Sequence, residues 1–320
     1  MIASSSFLVK QWTMQNTSEL AGILDGGFHP GASYDPTLCS RCGSGDYSTV
    51  VLGPTIPIIK CSSCGLMRQG WVSESIKHSR IFVDYAGGEE RFKKQKAEKE
   101  AAQQGDFLKI SDALQTFLPD KGKILEIGCA MGTTLNGFKQ RGWQAVGVEP
   151  EAWCAEIARK RYGLEVISSP FQEAGLPKES FDAVLLLHVI EHVCDPLQAL
   201  QDIRDLVRPG GYLVLETPRY DTLTFRLLRG RERSVIADHL HYFTRKSMLE
   251  MCRDAGFSAD RVDAVGRTVT LDRLSFYLAK LSRSYRAAHV INRLSDSMQL
   301  SNVRIHVNLH DMMRLYLKRN

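Results

Sequence analysis

The chain lacks any apolar run near the roughly 18 residues needed to cross a bilayer; "AVLLL" (Ala183–Leu187) is short and stops at His188. Its opening, "MIASSSFLVKQWTMQNTSEL", has neither a long apolar core nor a small-residue cleavage site. No secretion signal is therefore expected, and a cytoplasmic location is the default. Compositional bias is missing too. Of 320 residues, 43% are hydrophobic and 24% charged, which suits one sizeable core plus a small module. Internal repeats are absent. So is a strong charge of one sign, since the net is a mild +5. Basic residues do gather in "RYDTLTFRLLRGRERS", with five arginines from Arg219 to Arg233. A solvated loop or contact with a phosphate-bearing substrate would each account for that cluster.

A disulfide framework is also lacking, although eight cysteines are present. Four form two CxxC pairs, Cys39 with Cys42 and Cys61 with Cys64, while Cys129, Cys154, Cys194 and Cys252 are scattered singly. In a reducing compartment that split favours a metal site plus core thiols. The pairs are separated by 18 residues, the spacing of a tetrahedral four-thiolate zinc site. Each pair lies on a turn, "SRCG" or "SSCG", whose glycine permits the unusual backbone of a zinc knuckle. With no histidine or spare ligand nearby, a closed structural Zn2+ site is expected in a ribbon over residues 37–72. Iron, or thiols without metal, are the alternatives. Arg41 and Lys60 are the only basic residues between Cys39 and Cys64, a sparse footprint for nucleic acid. A ribbon that helps build a substrate cleft fits better.

Residues 1–36 read as a loose leader. "GGEERFKKQKAEKEAAQQ" reads as an exposed charged helix. Its continuation places Phe107, Ile110, Leu114 and Phe117 on one face, and Pro119 and Gly122 stop it. From Lys123 strands and helices alternate: "KILEIG", "TTLNGFKQRG", "AVGVEP", "EAWCAEIARKRYG", "LEVI", "SFDAVLLLH", "DPLQALQDIRDLV", "GGYLVLETP". The expected fold class is α/β, a doubly wound, mainly parallel Rossmann-like sheet within a domain spanning 86–320. A lid-like loop is expected over 219–244, a helix at "TRKSMLEMCRDAGF" and a helical insert over about 271–295. "MMRLYLKR" suits a last strand or a short helix.

The turn in "KILEIGCAMGTTL" lacks both common phosphate grips. A dinucleotide fingerprint would need glycines where Gly128, Ala130 and Thr133 stand, and a P-loop would need Gly-Lys where Thr133-Thr134 stand. What is there instead is Glu126 at a strand end, tight backbone at Gly128 and Gly132, and Glu149 ending the next strand. An acid at that place can accept both hydroxyls of a ribose. Phe171, after the third strand, is placed to lie against a flat base. These residues describe a pocket for a nucleoside with a positively charged tail.

The constellation resembles class I S-adenosylmethionine-dependent methyltransferases. "EIGCAMG" follows their acid-x-Gly-x-Gly-x-Gly motif except that Ala130 replaces the middle glycine. "GVEP", "SFDAVLLLHVIEHVCDP" and "LVRPGGYLVLETP" follow in the family's order over roughly Lys123 to Pro218. The resemblance implies an S-adenosylmethionine site made by Glu126, Gly128, Cys129, Ala130, Gly132, Glu149, Phe171 and His188.

Two acceptor signatures are missing. No Asn/Asp-Pro-Pro-aromatic follows the fourth strand, as amine-methylating enzymes carry, and no Pro-Cys or Thr-Cys supplies a cytosine nucleophile. General-base candidates are His188, His192, His239 and His241. His192 suits catalysis or a helix-start hydrogen bond equally, and Asp238 could orient His239 and raise its basicity. The whole chain resembles two subfamilies. Deoxysugar C-methyltransferases carry a four-cysteine domain, a histidine matching His192 and Glu-His-Leu-x-Tyr-Phe where this chain has Asp238 to Phe243; much of their C-terminal domain has no counterpart here. Quinone and small-metabolite O-methyltransferases share "HVIEHV" and usually lack the ribbon. Glycan-tailoring enzymes lie between. The expected function is methyl transfer to a hydroxyl of a sugar, glycan precursor or similar small metabolite, with His192, His239 and Asp238 in catalysis and nucleic acid disfavoured as partner. The alternatives are C-methylation of a nucleotide-linked deoxysugar, RNA methylation with the ribbon as clamp, and an inactive cofactor-binding protein. Oligomeric state is not legible.

Overall fold

A computed structural model of the chain describes residues 37–51, 57–70, 107–232, 234–236, 239–270 and 304–320. The leader over 1–36, the charged helix before residue 107, the insert over 271–295 and Asp238 lie outside the described residues.

Seven strands form the main sheet: β4 (Lys123–Ile127), β5 (Gln144–Val148), β6 (Glu165–Ile167), β7 (Phe181–Leu187), β8 (Val207–Pro218), β10 (Phe257–Ala264) and β13 (Met312–Arg319). Their order is β10-β13-β8-β7-β4-β5-β6. The five strands from β4 to β8 run parallel, and β13 and β10 add antiparallel at the β8 edge. The doubly wound expectation holds, and "MMRLYLKR" is a strand. β10 follows the first helix-stopping glycine after Thr244 and has exposed polar positions, so its sequence carries no apolar run to announce it.

The alternation of side chains along β7 shows why both faces are covered. Ala183 and Leu185 pack with helices α1 (residues 107–117), α2 (Thr133–Gln140) and α3 (Ala152–Tyr162) through Ile110, Leu114, Leu135, Phe138, Ala155 and Ala158. Val184 and Leu186 pack the other way, against α4 (Pro196–Leu206) and α6 (Arg245–Asp254; α5, Leu223–Leu228, lies between them) through Leu200, Ile203, Met248 and Met251. Strands buried on both faces are the mark of a parallel sheet. The helix starts follow their caps. Asp195 accepts from the Gln198 amide at 3.1 Å with Pro196 in the first turn, and Thr244 and Ser247 form a reciprocal capping box.

A second sheet joins the cysteine module to the large domain. Strands β1 (Tyr47–Val51), β2 (Ile58–Cys61) and β3 (Met67–Gln69) are antiparallel, and β3 pairs onward with β9 (His241–Tyr242). Strand β9 belongs to the segment after β8, so the ribbon and that segment share one sheet. Arg41 strengthens the docking by pairing with Glu250 at 2.7 Å and Asp254 at 2.8 Å on α6. A separate two-stranded sheet pairs β11 (Arg267–Thr270) with β12 (Arg304–Val307). Among the described residues, no helix is long and apolar enough to cross a membrane.

Candidate active site

Strand β4 has β5 on one side and β7 on the other, so the strand order reverses there. In open α/β sheets ligands bind at that switch point, beyond the carboxyl ends of the strands. The turn after β4 is built for close approach. Gly128 and Gly132 sit at φ of 74° and 75°, and a Cβ at Gly132 would come within 2.5 Å of Leu164. Ala130 also sits in the left-handed region, at φ 47°, a conformation that costs a non-glycine residue roughly 1–2 kcal/mol. What holds it there is Glu149, which accepts from the Ala130 amide at 2.8 Å and from the Glu151 amide at 3.0 Å. Cys129 is buried behind the turn, against Gly147.

Glu126 is buried at 5% exposure, and its Oε2 has no hydrogen-bond partner. Burial, with a smaller push from Glu149, outweighs the Leu135 amide and raises its pKa to about 8. Thr133 Oγ1 is a second unpartnered buried polar atom at the turn. A cationic, hydrogen-bonding ligand would satisfy both, so these residues fit the charged tail of S-adenosylmethionine. Phe171 lies buried in the short 3-10 turn Phe171–Glu173, on the same side of the core as Ile127 and Val148.

The β7 and β8 ends carry a polar network. His188, at φ 58°, has Nε2 3.1 Å from Glu216 Oε1 and Nδ1 3.7 Å from Glu191 Oε1. Its side chain is half exposed; desolvation on its protein-facing side opposes the charge, but the two carboxylates prevail and raise its pKa above the ordinary value. Glu216 also accepts from Arg314 at 2.6 Å, and Glu191 accepts from the Thr217 hydroxyl at 3.0 Å. Against the penalty of burial, His188 holds both Glu216 and Glu191 down to about 2, with Arg314 adding to its effect on Glu216. His188 is thus an imidazolium between two carboxylates, which suits it to structure and not to proton abstraction.

His192 and His239 face one another edge to face, 4.9 Å between ring centres. Glu191, His192 and His239 bring an oxygen and two nitrogens within 4.8 Å of one another. That set could hold a cation or move a proton; the His188 imidazolium already balancing Glu191 favours the proton. His239 is buried, which pushes its pKa down to about 4 despite Glu191, so its ring is neutral at pH 7. Its Nδ1 lies 3.1 Å from the Tyr220 hydroxyl. His241 is turned away, 3.4 Å from Ser40 Oγ in the ribbon. Tyr220, Glu216, Arg314 and Gln69 join the site without having been expected there from the sequence. One signal was available for Glu216, a lone acid inside the apolar strand "GGYLVLETP".

Gln69 shows how the ribbon reaches this site. Its amide donates to Leu240 O at 2.9 Å, and its side chain donates to His239 O at 2.8 Å and Ile236 O at 3.3 Å. The cysteines stand behind that grip. Cys39 and Cys64 sulfurs are 3.5 Å apart, as are those of Cys42 and Cys61, and all four lie within 4.8 Å. A tetrahedral zinc with bonds of about 2.3 Å has sulfur–sulfur edges of about 3.8 Å, so the donor set fits. The expected knuckles are present: the Gly43 amide donates to Cys39 O at 2.8 Å and the Gly65 amide to Cys61 O at 3.0 Å, both glycines at positive φ. Two open depressions on the outer helices, one of about 460 Å³ beside Trp153 and Ile157, touch none of these residues.

Known proteins share this architecture. Over 118 residues the chain is 33% identical to the ubiquinone biosynthesis O-methyltransferase of Dinoroseobacter shibae, covering 34% of this chain and 46% of that protein. Over 103 residues it is 34% identical to the protein of the same name from Ruegeria pomeroyi, covering 30% of this chain and 40% of that one. The chain therefore spans under half the length of these curated relatives. Among solved structures, a chain from the complex of the Haloferax volcanii Trm112 methyltransferase activator with a methyltransferase matches with TM-score 0.50 at 12% identity, over 75% of this chain and 97% of that chain. At that identity the likeness speaks for the fold alone. The family model described as a methyltransferase domain matches residues 101–262, half of the chain, and with the strand order and glycine turn in agreement, this protein belongs to the methyltransferase domain family.

Proposed function

We propose that the protein transfers a methyl group from S-adenosylmethionine to a hydroxyl of a small molecule, a sugar or a glycan precursor, as a cytoplasmic reaction. The observation that carries this reading is the pair of buried carboxylates at adjacent strand ends, with Glu126 Oε2 unpartnered beside a turn that has no phosphate grip. When bound, S-adenosylmethionine supplies an electrophilic methyl group whose leaving group is already in place. In this reading Glu149 takes the ribose hydroxyls, Phe171 lies against the base, and Glu126 meets the charged tail; Gly128, Cys129, Ala130 and Gly132 line the approach and His188 holds the wall. The chain must then position the acceptor and take its proton. His239, neutral and backed by Glu191, is the base, and His192 shares the cleft with it. Tyr220 touches the His239 ring directly and shares the orienting role with Asp238, which lies outside the described residues. The four cysteines hold structural Zn2+, for which their knuckle geometry and near-tetrahedral sulfur spacing are the support.

Transfer to oxygen is favoured by the named activity of the curated relatives. A second reading, C-methylation of a nucleotide-linked deoxysugar, draws support from the joining of the ribbon to the His239–Phe243 segment through β3 and β9. The test incubates the full chain with methyl-labelled cofactor and a cell extract split into sugar-nucleotide, lipid and RNA fractions, then determines the labelled atom by NMR. Label on an oxygen of a small acceptor is expected. Label on carbon selects the second reading, and label confined to RNA rejects both. Metal analysis of the same preparation should find about one zinc per chain.

A further inference from the structure

The Tyr220 hydroxyl has one proton, and its geometry says where that proton goes. It donates to the Ser234 carbonyl at 2.8 Å, an atom that can only accept. The same hydroxyl lies 3.1 Å from His239 Nδ1. Having spent its proton on Ser234, it can only accept there. Nδ1 must then carry the hydrogen. Burial holds the tyrosine in its neutral form, so the hydroxyl keeps its proton across the neutral range.

We propose that Tyr220 is a positioning residue that holds His239 as its Nδ1–H tautomer and so leaves the Nε2 lone pair as the ring's proton acceptor. The catalytic use of that lone pair rests on the base role proposed above; the tautomer itself does not. In the transfer step the acceptor O–H proton passes to Nε2 as the oxygen forms its bond to the methyl carbon. The carbon–sulfur bond breaks with its electron pair retained on sulfur. The resulting imidazolium then stands beside the Glu191 carboxylate, which it shares with His188. Tyr220 is itself well braced. Its ring meets Tyr242 at 4.9 Å and Phe225 at 5.3 Å, both edge to face, and its amide donates to Phe243 O at 2.9 Å. A hydroxyl so fixed leaves the imidazole little freedom to flip.

The groups whose charges reach this pair are Glu191, His192 and His188 at the ring, and Glu232 and Tyr242 at the phenol. The test is long-range proton–nitrogen NMR on the full chain labelled at histidine nitrogens, with the His239 signals assigned by their loss in His239→Gln. The wild type should show a protonated Nδ1 and an unprotonated Nε2 at pH 7. Tyr220→Phe keeps the ring packing and removes only the oxygen. It should give a mixed or reversed tautomer, leave S-adenosylhomocysteine affinity within twofold, and, once an acceptor is known, lower kcat roughly tenfold with KM unchanged. An Nε2–H tautomer in the wild type overturns the proposal, as does an unchanged tautomer in folded Tyr220→Phe. Should that variant not fold, the wild-type spectrum decides. Absence of methyl transfer with the expected spectrum would instead reject the base role and leave the tautomer standing.

Discussion

Ala130 is the residue at which this turn departs from the glycine pattern, and the cost is visible in its positive φ. A glycine adopts that conformation freely, although it loses more entropy on folding. Ala130→Gly should therefore raise stability by about 0.5–1 kcal/mol, measured by denaturant unfolding; a loss of stability would show that the turn is not held as described. Glu126 makes the complementary case. Its pKa of about 8 keeps the carboxyl protonated at pH 7 in the free protein. A cationic ligand placed against it draws out the carboxylate. Binding of S-adenosylmethionine should then release a proton and tighten between pH 6 and 8, by up to about tenfold per unit. Calorimetry in buffers of different ionisation enthalpy reads the proton directly, and binding with none released would remove Glu126 from the site. Stability follows the opposite sign. Because the folded pKa lies above the ordinary value of 4.5, Glu126 makes its burial progressively costlier as pH rises from that value through about 8. Glu126→Gln should accordingly stabilise the free protein at pH 8 while weakening cofactor binding.

At the scale of elements, two contacts join pieces far apart in sequence. Arg314 on β13 is 2% exposed and grips Glu216 on β8, which is 5% exposed. Removing one partner of a buried pair strands the other, so Arg314→Met should cost roughly 3–5 kcal/mol. Glu216→Gln in the same chain should recover part of that loss. The sign with pH is also defined. Glu216 is held at about 2 against an ordinary 4.5, so its contribution is present above 4.5 and is lost as pH falls through about 2. The second contact is β3 on β9. If the thiolate site organises the ribbon, removing its metal should loosen the strand that carries the His239 segment. Chelation should raise hydrogen exchange across residues 239–243 more than in β4 or β7, and Gln69→Leu should do the same with the metal retained. Equal protection before and after chelation would show that the ribbon is a passive attachment.

For the molecule as a whole, the net charge of +5 and a ribbon with few basic residues imply weak, salt-insensitive binding to RNA; a steep fall of RNA affinity with salt would contradict this. The ribbon instead spends its surface on the large domain, through Arg41, Gln69 and strand β3. Much of this was legible in the chain itself. The βα alternation, the helix caps at Asp195 and Thr244, the strand-end acids Glu126 and Glu149 and the two CxxC pairs are local patterns, set by neighbours within a few residues, and each stands where its pattern implies. The partners of the histidines were not legible. Gln69 and Tyr220 reach His239, and Glu216, gripped by Arg314, reaches His188, only because β3 pairs with β9 and β13 with β8; contacts between residues so far apart leave no period in a sequence. Local propensity and side-chain alternation thus determined the fold family and the cofactor turn, whereas only tertiary packing, by setting Glu216 and Glu191 beside His188 and burying His239 against Tyr220, decided the partners and so the charge of each histidine.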